Sequence, residues 1–252
     1  MAYRRTPRIQ ARLDATRDAL VTAAVGRVAD GGWAAATVTG VARDAQVATG
    51  TVYRHFDDKD ALLAAAFRRA AGRELQVVAD AADSDDPPIA RLAAALRVFA
   101  ERALAGRRLA YALLAEPAGT AVEAERLTYR RGYRERFAAV LADGIADGSI
   151  APHDVEVVAA ALVGACGEVL VGPVAPASGA DAADPSRGMA DPSGGRADPS
   201  RGMADPSGGR AVPRRGTAAP HVATADRVDA LVATCLRAVP TTSMSDELGA
   251  SL

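Results

Sequence analysis

The side chains best suited to gripping another molecule cluster between positions 37 and 59. Thr49, Gly50, Thr51, Tyr53, Arg54 and His55 lie opposite Val47 and Val52 if the segment is helical. Two apolar groups then point inward, and hydroxyls, a phenol, an imidazole and a guanidinium point outward. Groups of that kind bind phosphate oxygens and base edges, and Gly50 lets the backbone approach a duplex closely. Lys59 follows at the start of the next helix, where its ammonium and the free backbone N–H groups form an anion site. It is the only lysine in an arginine-rich chain, a compact point charge among planar guanidinium groups.

Several elements must hold these groups in place. Thr37 caps a short helix whose inner face is Val38, Val41 and Ala42. A turn at Ala45-Gln46-Val47 leads into the second helix, Thr49 to Phe56. Two short helices joined by a tight turn make a helix-turn-helix. Ahead of them, Leu20, Val21, Ala24, Val25 and Val28 form a helical stripe that starts near Thr16 and stops at Gly31-Gly32. Behind them, Asp58 caps a helix carrying Ala61, Leu62, Ala65 and Phe67 that runs to about Ala82. The run Asp83-Ser84-Asp85-Asp86-Pro87-Pro88 breaks it and marks a domain boundary.

The stretch from Thr37 through Leu63 resembles the DNA-binding domain of the TetR/AcrR regulators. The matching residues are Thr37-Val38-Thr39-Gly40-Val41-Ala42, Gly50-Thr51-Val52-Tyr53-Arg54-His55-Phe56 and Lys59-Asp60-Ala61-Leu62-Leu63. The resemblance covers about residues 17–68 and implies a repressor released from a palindromic operator by a small molecule. It implies phosphate anchors at Thr37, Thr51, Tyr53 and Lys59, with Thr39, Gly40, Thr49, Gly50 and Arg54 nearest base edges. Tyr53 packing beneath the helices and Thr37 acting only as a cap are the structural alternatives. Two positions depart from the pattern. Gln46 stands where the turn usually has Gly and is expected to take a left-handed conformation at about 1 kcal/mol. Ala48 stands where a Ser usually caps the recognition helix, forfeiting about 1 kcal/mol.

Beyond the boundary the apolar spacing stays helical. Ile89, Leu92, Leu96, Phe99 and Ala103 form one stripe, followed by helices near Leu109–Leu114, Val122–Ala146, Asp154–Val171 and Ala223–Val239. No stretch alternates with period two. The fold class is therefore all-α: an N-terminal three-helix helix-turn-helix domain and a C-terminal helical ligand-binding and dimerisation domain. The expected limits are a flexible basic arm at 1–15, the DNA-binding domain at 16–82, the second domain at 83–240 and a disordered tail at 241–252.

Phe99, Tyr111, Leu114, Tyr129, Tyr133, Phe137 and Glu168 could wall a pocket, although the same residues suit ordinary core. The basic run Tyr129 to Arg134 could meet an acidic effector or form a solvated face. The helix from Asp154 to Val171 is apolar almost all round, with Ala160, Ala161, Gly164, Ala165 and Gly167 permitting close approach. With the helix near 223–239, it would form the homodimer interface that the resemblance implies. A monomer's central core helix is the alternative.

The whole chain carries a net charge of −1, so bulk charge gives no nucleic-acid signature. Residues 1–75 nevertheless hold twelve Lys and Arg against eight Asp and Glu, a basic front on an acidic body. The arm with Arg4, Arg5 and Arg8 could enter a minor groove, a solvated tail being the simpler reading. Cys166 and Cys235 lie far apart without a CxxC pairing, so no disulfide framework, metal or cofactor is expected. His55, His153 and His221 are scattered, and no GxSxG, GxGxxG, P-loop or HExxH motif favours an enzyme. The apolar run Val157–Gly167, cut by Glu168, reads as too short for a bilayer, and a cytoplasmic location is expected. The partners expected are operator DNA, an effector of unknown identity and a second copy of the chain. A helix-turn-helix protein without an effector stays open.

One segment stands apart. The fourteen residues Ala183–Arg196 recur unchanged as Ala197–Arg210, rich in Gly, Pro, Asp and Arg with a single Met. Such a sequence buries too little surface to offset its ordering entropy, so residues 172–221 read as a flexible insertion.

Overall fold

The computed structural model describes residues 6–176 and 224–242. Those residues form helices α1 (Pro7–Gly31), α2 (Val38–Asp44), α3 (Thr49–Val52), α4 (Lys59–Ala82), α5 (Pro88–Ala105), α6 (Arg107–Leu114), α7 (Thr120–Ala146), α8 (Val155–Val174) and α9 (Thr224–Arg237). A short 3₁₀ turn, Trp33–Ala35, follows α1. The only β feature among the described residues is an isolated bridge between Ile150 and Thr241. The expected all-α class is observed.

The head is built around Leu20, Val21 and Ala24 of α1, Val41 and Ala42 of α2, Val52 of α3, Phe56, and Leu62 and Ala66 of α4. The body buries Leu92 and Leu96 of α5, Phe137 and Leu141 of α7, Leu162 and Leu170 of α8, and Leu231 and Val232 of α9. Between them lies a third cluster of Val28, Trp33, Leu63, Phe67, Ala112 and Val122. Helix α4 serves all three, since its Val78 and Ala82 join the body core. A single 24-residue rod therefore runs from the head into the body, and the break at 83–87 ends that rod without isolating the head.

Several limits differ from expectation. Helix α1 begins at Pro7, where a mobile arm was expected to continue to residue 15. Pro7 supplies a preset φ at the first turn, and the Thr6 hydroxyl oxygen accepts the Ile9 N–H at 3.4 Å. Arg8 thus belongs to a helix, whereas Arg4 and Arg5 lie outside the described residues. The recognition helix is regular only to Val52. It tightens into i→i−3 bonds from Arg54 N–H to Thr51 and from His55 N–H to Val52.

Helix α8 continues past residue 171 through Pro173 to Val174, so the insertion cannot begin at 172. The rest of that insertion and both repeat copies lie outside the described residues. Thr242, expected in a free tail, is held by its hydroxyl, which donates to the Gly148 carbonyl at 2.6 Å. Helix α8 is also long and apolar enough to cross a membrane by length and composition, which the shorter run Val157–Gly167 did not suggest. It packs instead on α5, α6, α7 and α9, burying Ala159, Leu162, Cys166, Leu170 and Val174.

Candidate DNA interface and ligand cavity

The α2–α3 turn is set by backbone bonds. The Val47 N–H donates to the Ala42 carbonyl at 2.9 Å and the Gln46 N–H to the Arg43 carbonyl at 3.0 Å, a Schellman closure of α2. That closure demands a left-handed residue, and Gln46 takes it with φ of 57°, the only non-glycine among the described residues to do so. Ala48 occupies the cap of α3 and supplies no side-chain hydrogen bond. Both departures from the sequence pattern therefore have the geometry expected of them. Gln46→Gly should raise the unfolding free energy by about 1 kcal/mol, and Ala48→Ser by about another 1 kcal/mol. Urea unfolding followed by circular dichroism checks both, and a weaker protein on Gln46→Gly would contradict the strain argument.

Outward from this turn, Thr49, Gly50, Tyr53 and Arg54 are exposed, while Thr51 and His55 are half-buried. Tyr53 is 56% exposed, which removes the alternative that it packs beneath the helices. Thr37 and Thr39 are also exposed, and the Thr37 oxygen accepts the Gly40 N–H at 3.2 Å. Thr37 is thus a cap whose other side stays open. Lys59 lies exposed at the first turn of α4, next to Asp58, whose carboxylate accepts the Ala61 N–H at 2.7 Å.

Gly40 does not belong with this set. It is buried, and a Cβ there would come within 2.5 Å of the Arg27 guanidinium. Its small size lets α2 seat against α1, so it is removed from the base-reading candidates.

Arginines that the local pattern did not single out hold the head in shape. Arg17 of α1 donates to the His55 carbonyl at 2.5 Å and lies over the Phe56 ring at 4.2 Å, closing the end of the recognition segment. Arg27 donates to the Ala35 carbonyl at 3.2 Å and pairs with Asp44 at 2.7 Å. That hydrogen bond from Arg27 holds the Asp44 carboxyl below its ordinary pKa. His55 is also shifted down, first by burial and then by the charges of Arg17 and Arg54. Its imidazole is therefore neutral near pH 7 and offers hydrogen bonds rather than charge.

The body contains a cavity of about 320 Å³. Phe99, Leu114, Tyr129, Tyr133 and Phe137, all expected pocket residues, line it. Tyr111 and Glu168 do not. Tyr111 is half-buried under the Arg108 guanidinium, and Glu168 points from an exposed position on α8. The sequence missed Phe67 of α4, Leu109 and Leu113 of α6, and the charged residues Glu74, Arg102 and Arg126. Arg102 and Glu74 form a two-point pair at 2.5 and 2.8 Å across α5 and α4, which raises the Arg102 pKa. Tyr133 packs edge-on against Phe99 at 5.3 Å, and burial pushes its phenol pKa up. At the far wall, the free thiol of Cys166 faces the free Cys235 of α9, and a hydrogen bond between the two thiols, together with burial, raises the Cys166 pKa.

Helix α6 joins this cavity to the head. The Trp33 indole N–H donates to the Ala112 carbonyl at 3.0 Å, and Arg108 donates to the Gly31 carbonyl at 3.0 Å. Arg108 also grips Glu116 at 2.8 and 2.9 Å, and Glu116 accepts the Trp33 backbone N–H at 3.4 Å. From the other side, Arg126 of α7 donates to the carbonyls of Ala112, Leu113 and Glu116 at 3.1, 3.0 and 2.7 Å. A guanidinium at the carbonyl end of a helix satisfies its open acceptors and its dipole. Phe67, itself in the cavity wall, lies between Trp33 at 6.0 Å and Tyr129 at 5.8 Å.

Comparison with known proteins agrees with this architecture. Residues 20–66 match the family described as bacterial regulatory proteins, tetR family, and residues 85–170 match the tetracyclin repressor-like C-terminal domain. Together these matches span more than half of the chain. The protein belongs to the TetR family of transcriptional regulators, DNA-binding proteins with a helix-turn-helix head and a helical body. No curated protein sequence matches it.

Solved structures share the fold. FadR, the fatty acid degradation regulator of Bacillus halodurans, is 22% identical with a TM-score of 0.54, over 62% of this chain and 86% of that one. FadR of Bacillus subtilis, solved with stearoyl-CoA, is 22% identical with a TM-score of 0.54, over 62% and 85%. RolR, solved with resorcinol, is 17% identical with a TM-score of 0.58, over 96% of each chain.

Proposed function

We propose that this regulator binds a palindromic operator as a homodimer and is released when a small molecule fills the cavity of each body. The observation that carries the reading is the double attachment of α6. Its Leu109 and Leu113 line the cavity, while its Ala112 carbonyl and Arg108 hold Trp33 and Gly31 at the end of α1. A ligand that shifts α6 moves the base of the head, and α4 carries Phe67 in the same wall. Operator affinity and ligand affinity are then coupled reciprocally. FadR with stearoyl-CoA and RolR with resorcinol support a ligand-binding role for the body.

On the head, Thr49, Gly50 and Arg54 read bases in this proposal, with Thr39 alongside. Thr37, Thr51, Tyr53 and Lys59 hold phosphates, and neutral His55 adds a hydrogen bond at the edge. Dimerisation uses the outer face of α8 together with α9. Lys59→Ala should weaken binding to all DNA sequences alike and lower the salt-dependence slope by about one unit. Fluorescence anisotropy across a salt series tests it, and an unchanged affinity and slope would remove Lys59 from the phosphate anchors.

A further inference from the structure

The charges around the cavity are unequal, with three arginines against one glutamate: Arg102, Arg126 and Arg130 face Glu74. Arg102 is committed to Glu74 by two hydrogen bonds. Arg126 is committed to the carbonyls of Ala112 and Leu113 in α6, to that of Glu116 just beyond it, and to the Glu123 carboxylate. Arg130 has neither an ion pair nor a hydrogen bond among the described residues, and it sits exposed at the cavity's rim. One helical turn further along α7, on the same face, Tyr133 turns a phenol into the cavity. Its ring is fixed against Phe99, yet its hydroxyl makes no hydrogen bond among the described residues. The Tyr133 hydroxyl is thus left free to donate into the cavity, and a free guanidinium beside an apolar wall favours a carboxylate in two-point geometry.

We propose, building on the effector reading above, that the cavity takes a small organic acid. Its apolar body lies against Phe99, Leu109, Leu113 and Phe137, and its carboxylate accepts from Arg130 and from the Tyr133 hydroxyl. The volume of about 320 Å³ falls at the small end of ligand sites. A cationic ligand would meet the surplus guanidinium at the rim, and a neutral one would leave it unpaired.

The test uses the full chain on its selected operator, with phenylbutanoate, phenylbutanol and phenylbutylamine as probes of one size and shape. Calorimetry should give the acid about tenfold tighter binding than the alcohol, with the amine weaker still. Arg130→Gln should bring acid and alcohol to equal affinity, and Tyr133→Phe should reduce the gap in part. Unliganded melting temperatures identify any variant that fails to fold. Equal binding of acid and alcohol, with operator released by both, would overturn the carboxylate and uphold the effector reading. Tight binding of the acid with the operator still held would uphold the carboxylate and overturn the effector reading. Binding by none of the three would overturn the organic-acid proposal.

Discussion

Gly164→Arg yields a folded monomer that binds operator DNA at least about a hundredfold more weakly than the parent, if the dimer forms on the outer face of α8. Val157 and Val169 of that helix are 63% and 42% exposed, and Ala160, Ala161, Gly164 and Gly172 are exposed as well. A helix face that is exposed and apolar apart from Glu168 favours a covering partner. A Cβ on Gly164 meets nothing within 4 Å, so the substitution leaves the subunit's own packing untouched. Replacing a helix-interior glycine should even stabilise the isolated subunit, by about 0.5–1 kcal/mol. The loss falls on the dimer, where an arginine would be buried at a site of close approach. Two tethered heads gain roughly 10²–10⁴ in avidity over one, and that gain disappears. Sedimentation and anisotropy read both effects. A Gly164→Arg protein that stays dimeric with full operator affinity would place the interface elsewhere.

Gly32→Ala is expected to damage the joint between head and body. Gly32 has φ of 76° and ψ of −170°, a region open essentially to glycine alone. A Cβ there would fall 1.5 Å from the Arg108 Nη2 and 2.4 Å from the Glu116 Oε1. The backbone strain costs about 1–3 kcal/mol, and the Arg108–Glu116 pair must also give way. A total near ~2–3 kcal/mol lowers Tm by roughly 5–10 °C for a chain of this size. Because Arg108 and Trp33 connect α6 to the head, the variant should also lose most of its ligand response, even though no DNA-facing residue has changed. Scanning calorimetry and ligand titration on operator DNA check the two parts. An unchanged Tm would show that neither the conformation nor the pair matters at this joint.

The head was largely legible from sequence because its signals are local. Thr37 and Asp58 each accept an N–H three residues on, as their positions before apolar-periodic runs implied. Gln46 and Ala48 were recognisable as departures because turn chemistry is fixed within a few residues. Gly40 was misplaced because its role depends on Arg27, thirteen positions back and on another helix. The same holds for Arg17, Arg108 and Arg126, whose acceptors lie 38, 77 and 10–14 positions away along the chain. No periodicity encodes such pairings. The cavity was half legible: aromatic residues on α5 and α7 were recognised, but the inward turn of Phe67 and the departure of Tyr111 follow from helix packing. The start of α1 was available in Thr6-Pro7, a cap followed by a first-turn proline, and was hidden by the basic residues around it.

The central claim is that the exposed face of α3 and of the turn that follows it reads operator sequence for a symmetric pair of heads. Selection of bound duplexes from a random DNA pool tests it most directly, with the parent protein and with the Thr49→Ala and Arg54→Ala variants. The account predicts one palindromic consensus for the parent. In at least one variant, preference should relax at a single position of each half-site, at a cost of about 1–3 kcal/mol. A parent that enriches no sequence, or a consensus unchanged in both variants, would contradict it.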